Sequence, residues 1–224
     1  MTDTSTQPLP EGLGRDFITG LHATLSGAAD ALGDLDRRAG DGDFGTNVRT
    51  AMKLATGNLE ADAPTTYRQW VSAMSMAWLG VGGTSGPLFG MFFRDLAKAG
   101  EEGAVPTLAQ LADALAAGQA VVQKYGEAEV GDKTMIDSLA PAIAALREAI
   151  EAGAEPAAAL ADAERAAVEA ARATADSTAR RGRASYVGEV SKGVIDPGAA
   201  AMALVIGAAR AAVDGGEVET GWIS

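Results

Sequence analysis

Residues 13–47 read L-G-R-D-F-I-T-G-L-H-A-T-L-S-G-A-A-D-A-L-G-D-L-D-R-R-A-G-D-G-D-F-G-T-N, an apolar-periodic run that stops in glycine and aspartate. Leu13, Phe17, Leu21, Leu25, Ala28, Leu32 and Leu35 recur every three to four residues. That period puts them on one face and predicts a first long helix. Where it ends, Asp36, Asp41 and Asp43 surround a glycine-rich turn. Three carboxylates beyond a helix C-terminus lie on the unfavourable side of its macrodipole, so a cation among them is expected. Oxygen donors without sulfur or imidazole suit a hard cation such as Mg²⁺, which usually keeps waters and substrate phosphates in its shell.

Other templates fit this turn less well. Gly40, Gly42 and Gly45 match G-x-G-x-x-G, but no strand precedes them and two aspartates would face a pyrophosphate unshielded. The ligand spacing of a calcium-binding EF-hand is also absent, with no glutamate to close the loop.

Working outward, a second helix is expected from about Thr46 to Thr56, a third over Thr66 to Leu79, and a fourth from Ser85 with Pro87 in its first turn. Thr107 suits the N-cap of a fifth helix reaching Tyr125. A sixth should span Lys133 to Ala152 and a seventh Glu155 to Thr178. Asp196 and Pro197 open an eighth that continues to Val213. No alternating run marks a strand. The fold class is all-α, with a flexible stretch at 1–11, one helical domain at 12–214 and a tail at 215–224.

Short connections imply antiparallel neighbours. In an up-and-down arrangement alternate joints fall at the same end. The glycine-rich or polar joints at 40–45, 80–86, 126–132 and 182–198 are those between helices one and two, three and four, five and six, and seven and eight. All four should therefore share one rim.

Composition limits the function. The net charge of −12 argues against a nucleic-acid partner. With no cysteine, thiolate metal sites and thiol nucleophiles are excluded. The lone histidine, His22, lies inside the first helix and reads as structural, leaving no Ser-His-Asp arrangement. Val71 to Phe93 is uncharged over a membrane-like length. Its central Gly80, Gly82, Gly83, Gly86 and Pro87 favour two buried helices and a turn, with no membrane span. The first ten residues lack signal-peptide character, so the cytoplasm is the expected location.

The joints supply complementary chemistry. Gly82-Gly83-Thr84-Ser85-Gly86-Pro87 ends at a helix N-terminus, where backbone N–H groups and two hydroxyls can cradle phosphate. The alternative is an ordinary turn with a serine cap. Met135 could pack on an apolar base or simply join the core. Arg183 offers a cation, and Tyr186 a packing surface. Three aspartates and a nucleoside triphosphate carry about seven negative charges, which two Mg²⁺ balance better than one. Phosphoryl transfer, which depends mainly on positioning and electrostatics, suits such equipment.

The runs L-D-R-R-A-G-D-G-D-F-G-T-N, G-G-T-S-G-P-L-F-G, G-D-K-T-M-I-D-S-L-A-P-A, G-R-A-S-Y-V-G-E and D-P-G-A-A, in this order from about residue 12 to 213, closely resemble the L subunit, or nucleotide-binding domain, of dihydroxyacetone kinases. The resemblance implies an antiparallel eight-helix barrel with the nucleotide on one rim. It implies that Asp36, Asp41 and Asp43 are the catalytic metal ligands, holding two Mg²⁺ against ADP or ATP. Gly45, Thr46, Asn47, Thr84 and Ser85 would line the phosphate and ribose region, with Phe44 beside them. Gly126, Met135, Arg183, Asp196, Pro197 and Gly198 would complete the pocket.

In that family a separate K subunit or domain holds the ketose, and one branch rephosphorylates the bound ADP through a phosphotransferase-system protein. A kinase subunit acting on dihydroxyacetone or a related short ketose, in glycerol metabolism, is the expectation. Two positions depart from the family pattern: Phe44 stands where His is usual, and Val190 where Arg is usual. They leave room for an alternative, a nucleotide-sensing protein that regulates a partner with little catalysis.

Overall fold

The computed structural model describes residues 6–182, 185 and 191–223. Among these residues there is no strand, and eight α-helices follow one another: α1 (Leu13–Ala39), α2 (Phe44–Asp62), α3 (Tyr67–Leu79), α4 (Ser85–Leu96), α5 (Leu108–Gly126), α6 (Met135–Glu151), α7 (Pro156–Ala173) and α8 (Pro197–Asp214). The helix starts follow local chemistry. Thr66 with Gln69, Thr107 with Gln110 and Thr134 with Asp137 form capping boxes at α3, α5 and α6, each satisfying N–H groups that the first turn leaves open. Pro156 and Pro197 occupy the first turn of α7 and α8.

Each helix packs on the next, and α8 returns to α1, closing the ring. The all-α barrel expected from the sequence is the observed architecture. Leu13, Phe17, Leu21, Leu25, Ala28, Leu32 and Leu35, the periodic set of α1, are all buried. Helix α2 approaches α1 closely at Gly45, where an added Cβ would stand 2.7 Å from the Ala29 carbonyl oxygen and 2.8 Å from Gly33 Cα. His22 acts as structural, its Nε2 lying 3.1 Å from the Met52 carbonyl and 3.0 Å from Thr56 Oγ.

Helix α8 is apolar on nearly every side. By length and composition it could cross a membrane, but here it packs against α1, α6 and α7. The stretch from Val71 to Phe93 instead forms α3, a glycine turn and α4. Helix α2 begins earlier and runs longer than its spacing indicates. Helix α7 stops sooner, giving way to a 3-10 turn at Thr174–Asp176.

Described segments on either side of the eight helices pack onto the barrel. Leu9 is buried and its N–H bonds to the Pro106 carbonyl at 3.0 Å. Beyond α8, Ile223 is buried, Trp222 lies over the Arg172 guanidinium, and Arg210 binds Glu164 of α7 at 2.7 Å.

Candidate functional site

The α1–α2, α3–α4, α5–α6 and α7–α8 joints open into one cleft of about 380 Å³. The C-terminal ends of α1 and α5 and the N-terminal ends of α2, α4, α6 and α8 meet there, as the alternation of antiparallel helices requires.

The acidic side comes from the end of α1. Asp36 is buried, and its Oδ2 accepts the Phe44 N–H at 2.9 Å. Gly40 is a steric necessity here, since a Cβ would overlap Asp36 Oδ1 at 2.1 Å. Asp41 and Asp43 are exposed at the mouth, linked by the Asp43 N–H to Asp41 Oδ1 at 3.3 Å across Gly42, whose φ is +81°. Burial pushes the Asp36 carboxyl above the usual carboxylate range. The Phe44 N–H opposes that shift, and nearby Asp41 adds to it. Two neighbouring carboxylates with one partly desolvated are a donor set that a hard cation would relieve. Among the described residues, no three acidic or histidine side chains close a metal site by themselves.

Across the cleft, Asn47 Nδ2 donates to Ser85 Oγ at 3.2 Å, holding the starts of α2 and α4 together. At the N-caps, Asp43 of α2 and Thr84 of α4 make no side-chain capping bond, although Asp36 Oδ2 takes the first N–H of α2, that of Phe44. Gly86 is needed for the turn, because a Cβ would lie 2.0 Å from the Val81 carbonyl oxygen. The paired N-termini are suited to an anion.

Apolar side chains form the rest of the wall: Leu88, Phe89, Val122, Ala128 and Met135. Phe44 turns its ring inward, 6.5 Å from Trp78 and 6.0 Å from Phe89, while Trp78 and Phe89 stack at 4.6 Å. At the start of α8, Asp196 Oδ2 accepts the Ala199 N–H at 2.7 Å, as its N-cap position requires. Burial raises the Asp196 carboxyl to about 7. The Ala199 N–H and Lys133 work against the rise, and Asp137 and Asp36 with it.

Of the residues singled out in the sequence, Asp36, Asp41, Asp43, Phe44, Asn47, Thr84, Ser85, Gly126, Met135, Asp196, Pro197 and Gly198 all line this cleft. Gly45 and Thr46 do not; Gly45 serves the α1–α2 contact. Arg183, Tyr186 and Val190 lie outside the described residues. The reading missed Leu88 and Val122, each one helical turn inside a recognised position, and a 3.6-residue period from Thr84 and Gly126 would have found them. Arg181, in the basic 180–183 stretch whose sharper reading is phosphate contact, does line the cleft and pairs with Glu127 at 3.5 Å, whereas Lys133 had no role assigned.

Comparison with known proteins agrees with this picture. The DAK2 domain family model matches residues 38–211. The chain is 36% identical over 188 residues to the PEP-dependent dihydroxyacetone kinase ADP-binding subunit DhaL of Escherichia coli (strain K12), covering 84% of this chain and 90% of that protein. It is 38% identical over 187 residues to the triokinase/FMN cyclase of Rattus norvegicus, covering 83% of this chain but 32% of that longer protein. In shape it matches the crystal structure of the dihydroxyacetone kinase from C. freundii in complex with AMP-PNP and Mg²⁺. The TM-score is 0.68 at 28% identity, over 93% of this chain and 35% of the kinase.

Proposed function

This chain belongs to the DAK2 domain family, and from that premise we propose that it is the nucleotide-binding subunit of a dihydroxyacetone-type ketose kinase. The observation that carries the reading is the pairing across one cleft of the Asp36–Asp41–Asp43 turn with the uncapped start of α4 and the start of α2 bound to it through Asn47. Acidic residues alone would repel a nucleotide, and helix N-termini alone would hold any anion. Together they select a phosphate chain that arrives with its cations.

Asp36, Asp41 and Asp43 would hold Mg²⁺, two ions by the charge balance, and leave coordination positions open for phosphate oxygens and water. Bound there, the cations neutralise phosphate charge beside the carboxylates. The protein's own groups do the positioning. The start of α4, with Thr84 and Ser85, would orient the phosphates. Leu88, Val122 and Met135 offer an apolar face to the base and exclude water from it. Because Phe44 packs inward, the phosphates are held without a polar side chain at that position.

The ketose would be held by a separate K subunit docked on this rim, and the phosphoryl group passes to it from the bound nucleotide. The E. coli relative is named PEP-dependent, which supports a phosphotransferase-system protein as the donor that regenerates that nucleotide. Combining the protein with its K subunit and a short ketose, with either ATP or the phosphotransferase proteins, tests the proposal. Ketose phosphate should accumulate under one supply. Bound nucleotide with no turnover under both would leave the regulatory alternative standing instead.

A further inference from the structure

Lys133 is 1% exposed, and its φ of +64° is in the left-handed region that side chains with a Cβ rarely adopt. It occupies the short span between Gly131 and the Thr134 cap of α6. Its Nζ donates to the carbonyls of Ser177 at 3.0 Å, Ser191 at 2.6 Å and Val194 at 2.8 Å. An ammonium has three protons, so these bonds use all of them. A lysine beside a phosphate site is ordinarily read as a phosphate ligand. This one has no donor left to offer.

The three carbonyls belong to the crossing between α7 and α8. That crossing also bonds back to its surroundings. The Arg180 N–H donates to the Asp132 carbonyl at 3.0 Å, the Ala179 N–H to Ser191 Oγ at 3.0 Å and the Gly193 N–H to the Ala175 carbonyl at 2.8 Å. It brings Arg181 and Gly182 to the cleft and ends where Asp196, Pro197 and Gly198 form its wall. We infer that Lys133 is a positioning residue, an internal cation around which the crossing folds and by which the α8 side of the nucleotide cleft takes its shape. Burial lowers the affinity of its amine for a proton, and Asp196 and Asp176 act to keep it charged. The inference rests on the nucleotide reading of the cleft.

Lys133→Met tests it, keeping an unbranched stem, one atom shorter, while removing the three donors. Calorimetric titration with Mg-ADP should show the Kd rising about tenfold or more with stoichiometry unchanged. Amide exchange should quicken at Ala179, Arg180 and Gly193 and stay as it was in the middle of α2 and α4. General destabilisation would do something else, lowering the fraction of competent protein at constant Kd and quickening exchange throughout. That pattern, or no change in either measurement, overturns the inference.

Lys133→Gly tolerates the left-handed backbone and leaves a channel for added n-butylammonium. The amine should restore slow exchange at the same three amides, and failure to do so also counts against the clamp. If the unaltered protein does not bind Mg-ADP, the proposed function fails, while the exchange pattern still decides the role of Lys133.

Discussion

Asn47 on α2 and Ser85 on α4 are joined by a 3.2 Å hydrogen bond from Asn47 Nδ2 to Ser85 Oγ. One contact thus joins two helix starts that both border the cleft.

Asn47→Ala should therefore weaken Mg-ADP binding about tenfold, equivalent to about 1.4 kcal/mol. The bond is partly exposed, so the melting temperature should move little. A double-mutant cycle with Ser85→Ala should return a coupling energy of about 0.5–1.5 kcal/mol in binding. Additive losses would mean that the two side chains act separately.

Asp36 and Asp41 should respond differently to truncation. Asp41 is exposed, so Asp41→Ala should abolish Mg²⁺-dependent nucleotide binding with the helical fold intact. Asp36→Ala strips the buried Phe44 N–H of its acceptor, which costs about 1–3 kcal/mol in addition to the lost binding. Asp36→Asn keeps an acceptor and should recover stability without recovering metal-dependent affinity. Thermal melts and calorimetry on the three variants separate these roles. Unchanged affinity in Asp41→Ala would refute the metal assignment.

Asp196 should give apo stability a pH dependence. Its folded-state pKa is about 7, against about 3.9 in the unfolded chain. Below both values the group is protonated in either state and the stability it contributes is complete. Between them the unfolded chain releases a proton that the folded protein keeps, so stability declines as pH rises and levels off above the folded value. Asp196→Asn keeps a capping oxygen and removes the charge, and should flatten this decline. At pH 8 the gain over the unaltered protein should be at most about 4 kcal/mol. Urea melts of both proteins at pH 4.5 and pH 8 supply the comparison, and an equal difference at the two pH values would place the titration elsewhere.

Phe44→Ala should cost about 3 kcal/mol, because it opens a cavity against two buried rings. The same change should alter the fluorescence of Trp78, which stacks on Phe89 beside it. A loss below 1 kcal/mol in a denaturant melt would show that the aromatic trio does not depend on Phe44.

The regular parts of the molecule were legible because their signals are local. The spacing from Leu13 to Leu35 defines α1, Thr107 and Asp196 announce the helices that they cap, and helix parity places four joints on one rim. What stayed hidden depends on partners distant in sequence. Phe44 has the look of a phosphate-side neighbour until Trp78 and Phe89 are seen to receive its ring. Gly45 sits in a glycine-rich motif, yet its position is dictated by Gly33 on another helix. The ammonium of Lys133 finds carbonyls 44, 58 and 61 residues away. Helix α7 carries no punctuation where it ends. Its last turn tightens as Thr174 Oγ bonds the Ala171 carbonyl and receives the Asp196 N–H.

With eight antiparallel helices, α1 enters and α8 leaves at the end opposite the cleft. Sequence added before α1 or after α8 emerges on the far side and leaves the chemical face clear. The unit is portable: it suits a free-standing subunit and equally a module spliced into a longer polypeptide, with no redesign of the rim on which its chemistry depends.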